Sequence, residues 1–262
     1  MKKNLIIVAL LSFLLSPSVY AGYGIDEYTK LLIHSNTTDG NTVFADSSFI
    51  PHTITSLGNV NHSTAKAKFG SSAIYFDGSG DYLQIPDSED WHFGNEDFTI
   101  DFWVNFQSAG AEHAYFLGQK TDDWNYWIAE LYNGNLGWGY GSTEYDSGAW
   151  SPSADTWYHV AWVATDGGTH LKSYVDGHQI GTEVSIPNVD DFDLALTIGQ
   201  SHNYHFLKGY LDEIRISKGI ARWTSDFTPP SEPYGTVPIP GALWLLGSGL
   251  VGLIGFRRKL KK

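Results

Sequence analysis

Acids and aromatics are the residues in this 262-residue chain whose types and spacing could do chemistry. Cysteine is absent, so thiol catalysis, disulfides and cysteine-ligated zinc are excluded at once. His-Glu-x-x-His does not occur, and His202 and His205 in "SHNYHF" have no third ligand nearby in sequence. The densest chemistry is "DDWNYWIAELYNGNLGWGYGSTEYDSGAW", which sets several Trp and Tyr among Gly, Asn and Asp. Aromatic planes match the flat apolar faces of sugar rings, and the polar residues between them suit hydroxyls. Trp124, Trp138 and Tyr145 are the expected ligand contacts because turn residues surround them. The competing role for each ring is packing. Asp190, Asp191 and Asp193 in "NVDDFDLA" read either as a cation site or as a solvated loop.

One further acid poses an electrostatic question. "KGYLDEIRIS", residues 208–217, alternates like a strand, and strict alternation puts Asp212 beside Tyr210, Ile214 and Ile216, with Leu211, Glu213, Arg215 and Ser217 opposite. An ionised carboxylate on an apolar face needs water, a proton or a positive partner.

The elements that must position these residues are strands. Between Gly22 and Tyr234 no long amphipathic helix is visible, and short alternating runs are separated by Gly, Asp and Asn. "FTIDFWVNF" places Phe98, Ile100, Phe102, Val104 and Phe106 on one face and Thr99, Asp101, Trp103 and Asn105 on the other. "WYHVAWVAT" is apolar on both faces, as a central strand covered twice would be. Tight hairpins are expected at Asp176-Gly177 and Asn133-Gly134. The pattern predicts an all-β, two-sheet antiparallel jelly-roll sandwich.

The two ends read differently. "MKKNLIIVALLSFLLSPSVYAG" has the basic start, apolar centre and small-residue exit of a secretory signal peptide, cut after Ala21. Val237 to Phe256 carries no charge and is long enough for one membrane-spanning helix, followed by Arg257, Arg258, Lys259, Lys261 and Lys262. By the positive-inside rule that basic tail stays in the cytoplasm and the intervening chain is exported. "TSDFTPPSEPYGTVPIP" holds five prolines and reads as an extended linker to the membrane helix. The expected organisation is a signal peptide at 1–21, a sandwich domain at 22–234, and linker, transmembrane helix and basic tail at 235–262. Outside the two ends only nine basic residues face 29 acids. Such a balance argues against nucleic acid and anionic lipid, and suits cations or neutral polymers.

"LLIHSNTTDGNTVFADSS", "KFGSSAIYFDGSGDYLQIPDSEDWHFGNEDFTIDFWV", "WYHVAWV" and "GYLDEIRISKGIARWTSDFTPP" together resemble the bacterial concanavalin-like domains of the laminin-G-like jelly-roll family, over residues 28–234. The resemblance implies a non-catalytic domain that binds glycans or other surface ligands, often with a structural calcium. In the family an acid after the first strand, a following Asp-Ser-Ser loop and the Asp of the last strand meet at one edge. Here Asn36 replaces the first acid, so the implied calcium set is Asn36, Asp39, Asp46 and Asp212, with one charge fewer. Calcium beside Asp212 would answer its electrostatic question. The Glu-x-Asp-x-Glu of β-glucanases sharing this broad fold is absent, which leaves open only carboxylates assembled from distant strands.

The C-terminus resembles the sorting signals that exosortases process in Gram-negative bacteria, with Val237, Pro238 and Pro240 as the motif and Ile239 and Gly241 departing from its closest variant. The expectation is an inner-membrane single-pass precursor that reaches the cell surface or extracellular matrix. There it would act as a glycan-binding or adhesion module. The alternatives are a structural matrix protein without a small ligand and, further off, a polysaccharide hydrolase or lyase.

Overall fold

The computed structural model describes residues 25–110, 113–121, 125–200 and 205–235. The signal peptide, the Val237, Pro238 and Pro240 motif and the apolar C-terminal run lie outside the described residues, as does Trp124. Among the described residues no helix is long and apolar enough to cross a membrane.

Short alternating segments give short strands. In chain order they are β1 (Thr29–Ile33), β2 (Thr55–Leu57), β3 (Asn61–Ser63), β4 (Ala73–Asp77), β5 (Tyr82–Ile85), β6 (Phe98–Phe106), β7 (Ala114–Lys120) and β8 (Tyr126–Tyr132). They continue with β9 (Asn135–Tyr140), β10 (Thr143–Ala149), β11 (Trp157–Thr165), β12 (His170–Val175), β13 (His178–Ser185), β14 (Leu196–Ile198) and β15 (Lys208–Lys218). An eight-stranded sheet runs β13-β12-β11-β6-β15-β4-β3, with β1 also pairing β15, and a seven-stranded sheet runs β10-β9-β8-β7-β14-β5-β2. Neighbours such as β6 and β11, or β8 and β9, pair antiparallel, as expected for a jelly-roll sandwich. Both predicted hairpins form, with positive φ at Asn133 and Gly134 and at Asp176 and Gly177, the geometry whose twist matches the flanking strands.

The core lies between the sheets. Phe98, Ile100, Phe102, Val104 and Phe106 of β6 all enter it, as their spacing predicts. Fully burying one such side chain stabilises by roughly 1.5–3 kcal/mol. The outward residues of β6 are also buried, because the chain after β15 crosses that face. Trp223 and Phe227 stack at 4.0 Å and pack on Ala161, Val163 and Tyr174, which explains why β11 is apolar on both sides. The proline-rich segment expected as a linker is therefore, up to Tyr234, part of the folded domain.

Beneath that cover sits a charged strip. Arg215 donates from Nε to Asp101 Oδ1 at 2.9 Å and from Nη2 to Oδ2 at 3.2 Å, with both side chains fully buried. Tyr234 donates its hydroxyl to Asp101, and its ring lies 3.9 Å from the guanidinium. Arg222 ties the same segment to the N-terminal turn through Asp26 at 2.8 Å.

The strict alternation expected for β15 fails. A bulge lies between Asp212 and Arg215, and Glu213 sits in the left-handed region at φ 52°. One extra residue switches the faces. Leu211, Ile214 and Ile216 point into the core, while Asp212 turns outward opposite Trp103. Asp212 thus does not share a face with Ile214 and Ile216. Its Oδ2 accepts from the backbone N–H groups of Lys68 and Phe69, each at 3.2 Å, and its Oδ1 accepts from Glu213 N at 3.0 Å. Burial and the neighbouring Glu213 still push its carboxyl up to about 7, against the pull of those three donors.

Candidate functional site

The outward face of the seven-stranded sheet is built differently. On β9, "NLGWGYG" sends Leu136 and Trp138 into the core and leaves Gly137 and Gly139 on the outside. Both glycines are buried, because side chains of the flanking strands fold over them. β8 forms one wall with Tyr126, Ile128 and Glu130, and edge strand β10 forms the other with Glu144 and Asp146. Register fixes the rungs: Glu130 lies opposite Gly137 and Tyr115, Ile128 opposite Gly139, and Gly139 opposite Glu144.

Two carboxylates converge over these glycines. A Cβ on Gly139 would lie 2.8 Å from Glu130 Oε1 and 2.9 Å from Glu144 Oε2, so only glycine lets both acids lean across the strand. Glu130 is 1% exposed, and neither oxygen has a hydrogen-bond partner among the described residues. Burial first, then the neighbouring Glu144, hold the Glu130 carboxyl well above the usual range. Tyr126 donates its hydroxyl to Glu144 Oε1 at 3.0 Å, and Lys120 Nζ stands 4.5 Å from the Tyr126 ring centre. Asp146, exposed beside them, is raised by partial burial and by Glu144. The assembly is an acidic cluster beside an aromatic wall, with Tyr126 and Lys120 at its side. Chemically it can accept hydroxyl or ammonium hydrogens and hold a proton between two acids.

The expected ligand contacts fare unevenly. Trp138 does not reach the surface: it is 0% exposed, stacked on Trp127 at 5.1 Å and 9°, and belongs to the core. Its surrounding glycines are strand residues on the opposite face, not turn residues. Tyr145 pairs with Trp138 across β9 and β10 and is half-buried against the same core. Glu130, the centre of the site, was not singled out by sequence. The signal was present in the period-two run Tyr126, Ile128, Glu130, with Glu144 on a neighbouring hairpin strand.

Nor do the four residues implied for calcium form one site. Asp46 accepts from Leu32 N and Ser48 N through Oδ1, and from His52 N and Nδ1 through Oδ2. Asn36 Oδ1 accepts from Ser71 N and Oγ, and Asp39 Oδ1 from Thr64 N. Asp212, held by three amides, and Asn36 both bind the 68–71 segment, while Asp46 and Asp39 close other loops. Calcium needs six to eight oxygens in one shell, and these residues do not fit it. Among the described residues, side chains converge at metal-ligand distance in Glu89–His92–Asp191 and in Asp87–Asp191–Asp193. Asp191 and Asp193 of the acidic loop thus meet Asp87, while Asp190 accepts the Tyr140 hydroxyl at 2.7 Å.

A two-sheet antiparallel sandwich with a laminin-G-type sequence defines the class. The chain belongs to the concanavalin A-like lectin/glucanases superfamily, whose laminin-G model matches residues 77–222. Among solved structures it is similar to domain 4 of AbnA, a GH43 extracellular arabinanase from Geobacillus stearothermophilus, in complex with arabinotriose. Identity is 22% and the TM-score 0.57, over 74% of this chain and 94% of that one. It is also similar to the binding domain of botulinum neurotoxin DC in complex with rat synaptotagmin II, at 14% identity and TM-score 0.53 over 76% of this chain. The chain spans 50% of that toxin domain. At these identities the likeness shows the fold. No curated protein matches the chain.

Proposed function

We propose that this chain is an exported, non-catalytic glycan-binding module of the cell surface or extracellular matrix, gripping its ligand along the β10 edge of the seven-stranded sheet. The observation that carries the reading is the pair of exposed acceptors, Glu144 and Asp146, on edge strand β10, with the Tyr126 hydroxyl beside them. A polymer can run along this edge while its hydroxyls meet those acceptors. Membership in a lectin-bearing superfamily, and a structural relative solved with arabinotriose, support a sugar ligand. Catalysis is disfavoured because a general acid must touch the leaving oxygen, and Glu130 lies beneath Glu144 with its oxygens enclosed. The basic, apolar N-terminus and the apolar, basic C-terminus support export, passage through the inner membrane and handover to an exosortase-type enzyme.

One observation favours a structural matrix role without a small ligand: Phe49 and Ile50 are 75% and 72% exposed on one loop, as groups that pack against a neighbouring molecule would be. A glycan array probed with the full-length protein separates the two. Retention of at least one polysaccharide, lost in Glu144→Ala together with Asp146→Ala, is the expected result. An array with no retained glycan favours the matrix role, and release of reducing ends from any polymer overturns the non-catalytic assignment.

A further inference from the structure

The exposed apolar side chains of the domain are not scattered. Among the described residues every exposed large one, Ile25, Tyr28, Val43, Phe49 and Ile50, lies between positions 25 and 50. Val43 apart, they gather at one end of the sandwich. Tyr28, Phe49 and Ile50 line one open groove with Lys218, the last residue of β15, and Ile25 opens the turn that carries Tyr28. Single exposed hydrophobics need no partner, but a contiguous set marks a contact surface.

The chain leaves the domain at that same end. A Cβ on Gly235 would lie 2.8 Å from Ile25 Cδ1. Two residues after Gly235 begins the uncharged run Val237 to Phe256, about the length that a hydrocarbon core of about 30 Å takes up as a helix. Even fully extended, the chain from Gly235 to Val237 reaches at most about 7 Å. The headgroup layer is itself about 5–8 Å deep. A domain tethered so closely cannot stand clear of the lipid, and the part that meets it is the part around Gly235 and Ile25. Charge selects the kind of lipid. Glu27, Glu89, Asp90 and Glu96 rim the groove against Lys30 and Lys218, whose ammonium groups lie 4.0 Å from Asp90 and 3.5 Å from Glu96. Four acids against two lysines leave the rim negative, which repels anionic headgroups and fits zwitterionic ones.

We propose that Ile25, Tyr28, Phe49 and Ile50 form a membrane-seating face, which lays the domain on a zwitterionic bilayer beside its own C-terminal span. This rests on the reading of Val237 to Phe256 as membrane-spanning and adds to it a fixed orientation of the domain. Phe49 and Ile50 enter the boundary between headgroups and acyl chains, with Tyr28 at the headgroups and the acids of the rim in the water layer. The same two side chains that would suit a matrix neighbour are thus occupied by lipid while the span is attached.

The chain has no cysteine, so a single probe can be placed by substitution. Full-length protein carrying Phe49→Cys or Ile50→Cys is labelled with a polarity-sensitive fluorophore and reconstituted into phosphatidylcholine vesicles, with and without bromine on the acyl chains. Asn133→Cys is the comparison: its hairpin meets Trp150 at the Phe106 end of β6, whereas Lys218 pairs with Phe98 at the other end. Probes at 49 and 50 should shift to the blue and be quenched by the brominated lipid, as groups about 5–10 Å into the boundary are, while the probe at 133 does neither. Flotation with the vesicles and resistance to alkaline extraction report the span separately. A floating, extraction-resistant protein whose probes at 49 and 50 stay in water overturns the seating face and leaves the span intact. A blue shift without quenching, growing with protein density in the vesicles, overturns it in favour of a second copy of this chain on the same side chains. Protein released by alkaline extraction removes the span and, with it, the seating face.

Discussion

Asp101 on β6 and Glu130 on β8 are acids at outward-facing positions, one on each sheet, and both are shut away from water. Asp101 receives Arg215, Tyr234 and His159, and although burial alone would raise its carboxyl, Arg215 above all brings it down to about 2. Glu130 receives no donor, and its carboxyl goes the other way. The eight-stranded sheet has a polypeptide lid that brings Tyr234 and seals the charges; the buried groups without hydrogen-bond partners there, among them Trp103 Nε1, Asn105 Oδ1 and Tyr174 Oη, include no carboxylate. Over β8 to β10 the exposed edge acids Glu144 and Asp146 take the lid's place. One face spends its acid on cohesion, and the other covers its acid with its own side chains.

That contrast is open to breakage at both ends. Arg215→Met strands Asp101 in a sealed site, and denaturant unfolding should show a loss of about 3–5 kcal/mol. A loss below about 1 kcal/mol would mean that Tyr234 and His159 alone hold the acid. For the wild type, the lowered carboxyl of Asp101 contributes stability that is complete above its ordinary value of 3.8 and drains away as pH falls towards about 2. The contribution is on the order of 2 kcal/mol, so melting temperature should drop across that window in the wild type and more shallowly in an Asp101→Asn, Arg215→Met pair.

Glu130 has the opposite sign. Its raised carboxyl keeps a proton that the unfolded chain releases above about 4.5, so the folded state loses stability as pH rises from there. Glu130→Gln should therefore gain on the order of 1 kcal/mol at neutral pH and nothing at pH values below that window. A destabilised Glu130→Gln protein at neutral pH would show that the carboxylate has a partner after all. The smallest effect belongs to Tyr126→Phe, which removes the hydroxyl donated to Glu144 at 3.0 Å. About 1 kcal/mol or less of stability should go, with a sharper effect on glycan affinity than on unfolding.

Legibility in the sequence followed periodicity and stopped where periodicity was locally broken. The five apolar residues of β6 and the two Asx-Gly turns were readable because each side chain or turn obeys a short-range rule. β15 was misread at one point, since a bulge at Asp212 and Glu213 leaves no mark except an acid where an apolar residue should be. In "NLGWGYG" glycine is the outward half of a strand and not punctuation, so Trp138 points into the core although its flanks suggest a turn. The Glu130–Glu144 pair joins two strands separated by β9, and no short-range rule speaks to such a meeting. For the residues implied for calcium, spacing places acids in loops, but only the fold decides which backbone amides reach them.

Tyr234 and Gly235 also have a mechanical meaning. A Cβ on Gly235 would lie 2.8 Å from Ile25 Cδ1, so the two ends of the described chain meet at one point of the domain. Tension applied between those ends does not pass along β6 or β15. It meets Tyr234 first, whose N–H is bonded to Glu213 at 2.7 Å and whose ring and hydroxyl are lodged over Arg215 and Asp101. The load would peel that residue away one contact at a time, in the manner of a zip, while the strands behind it stay in register. Under pull, these contacts would be loaded before the strands of the sandwich.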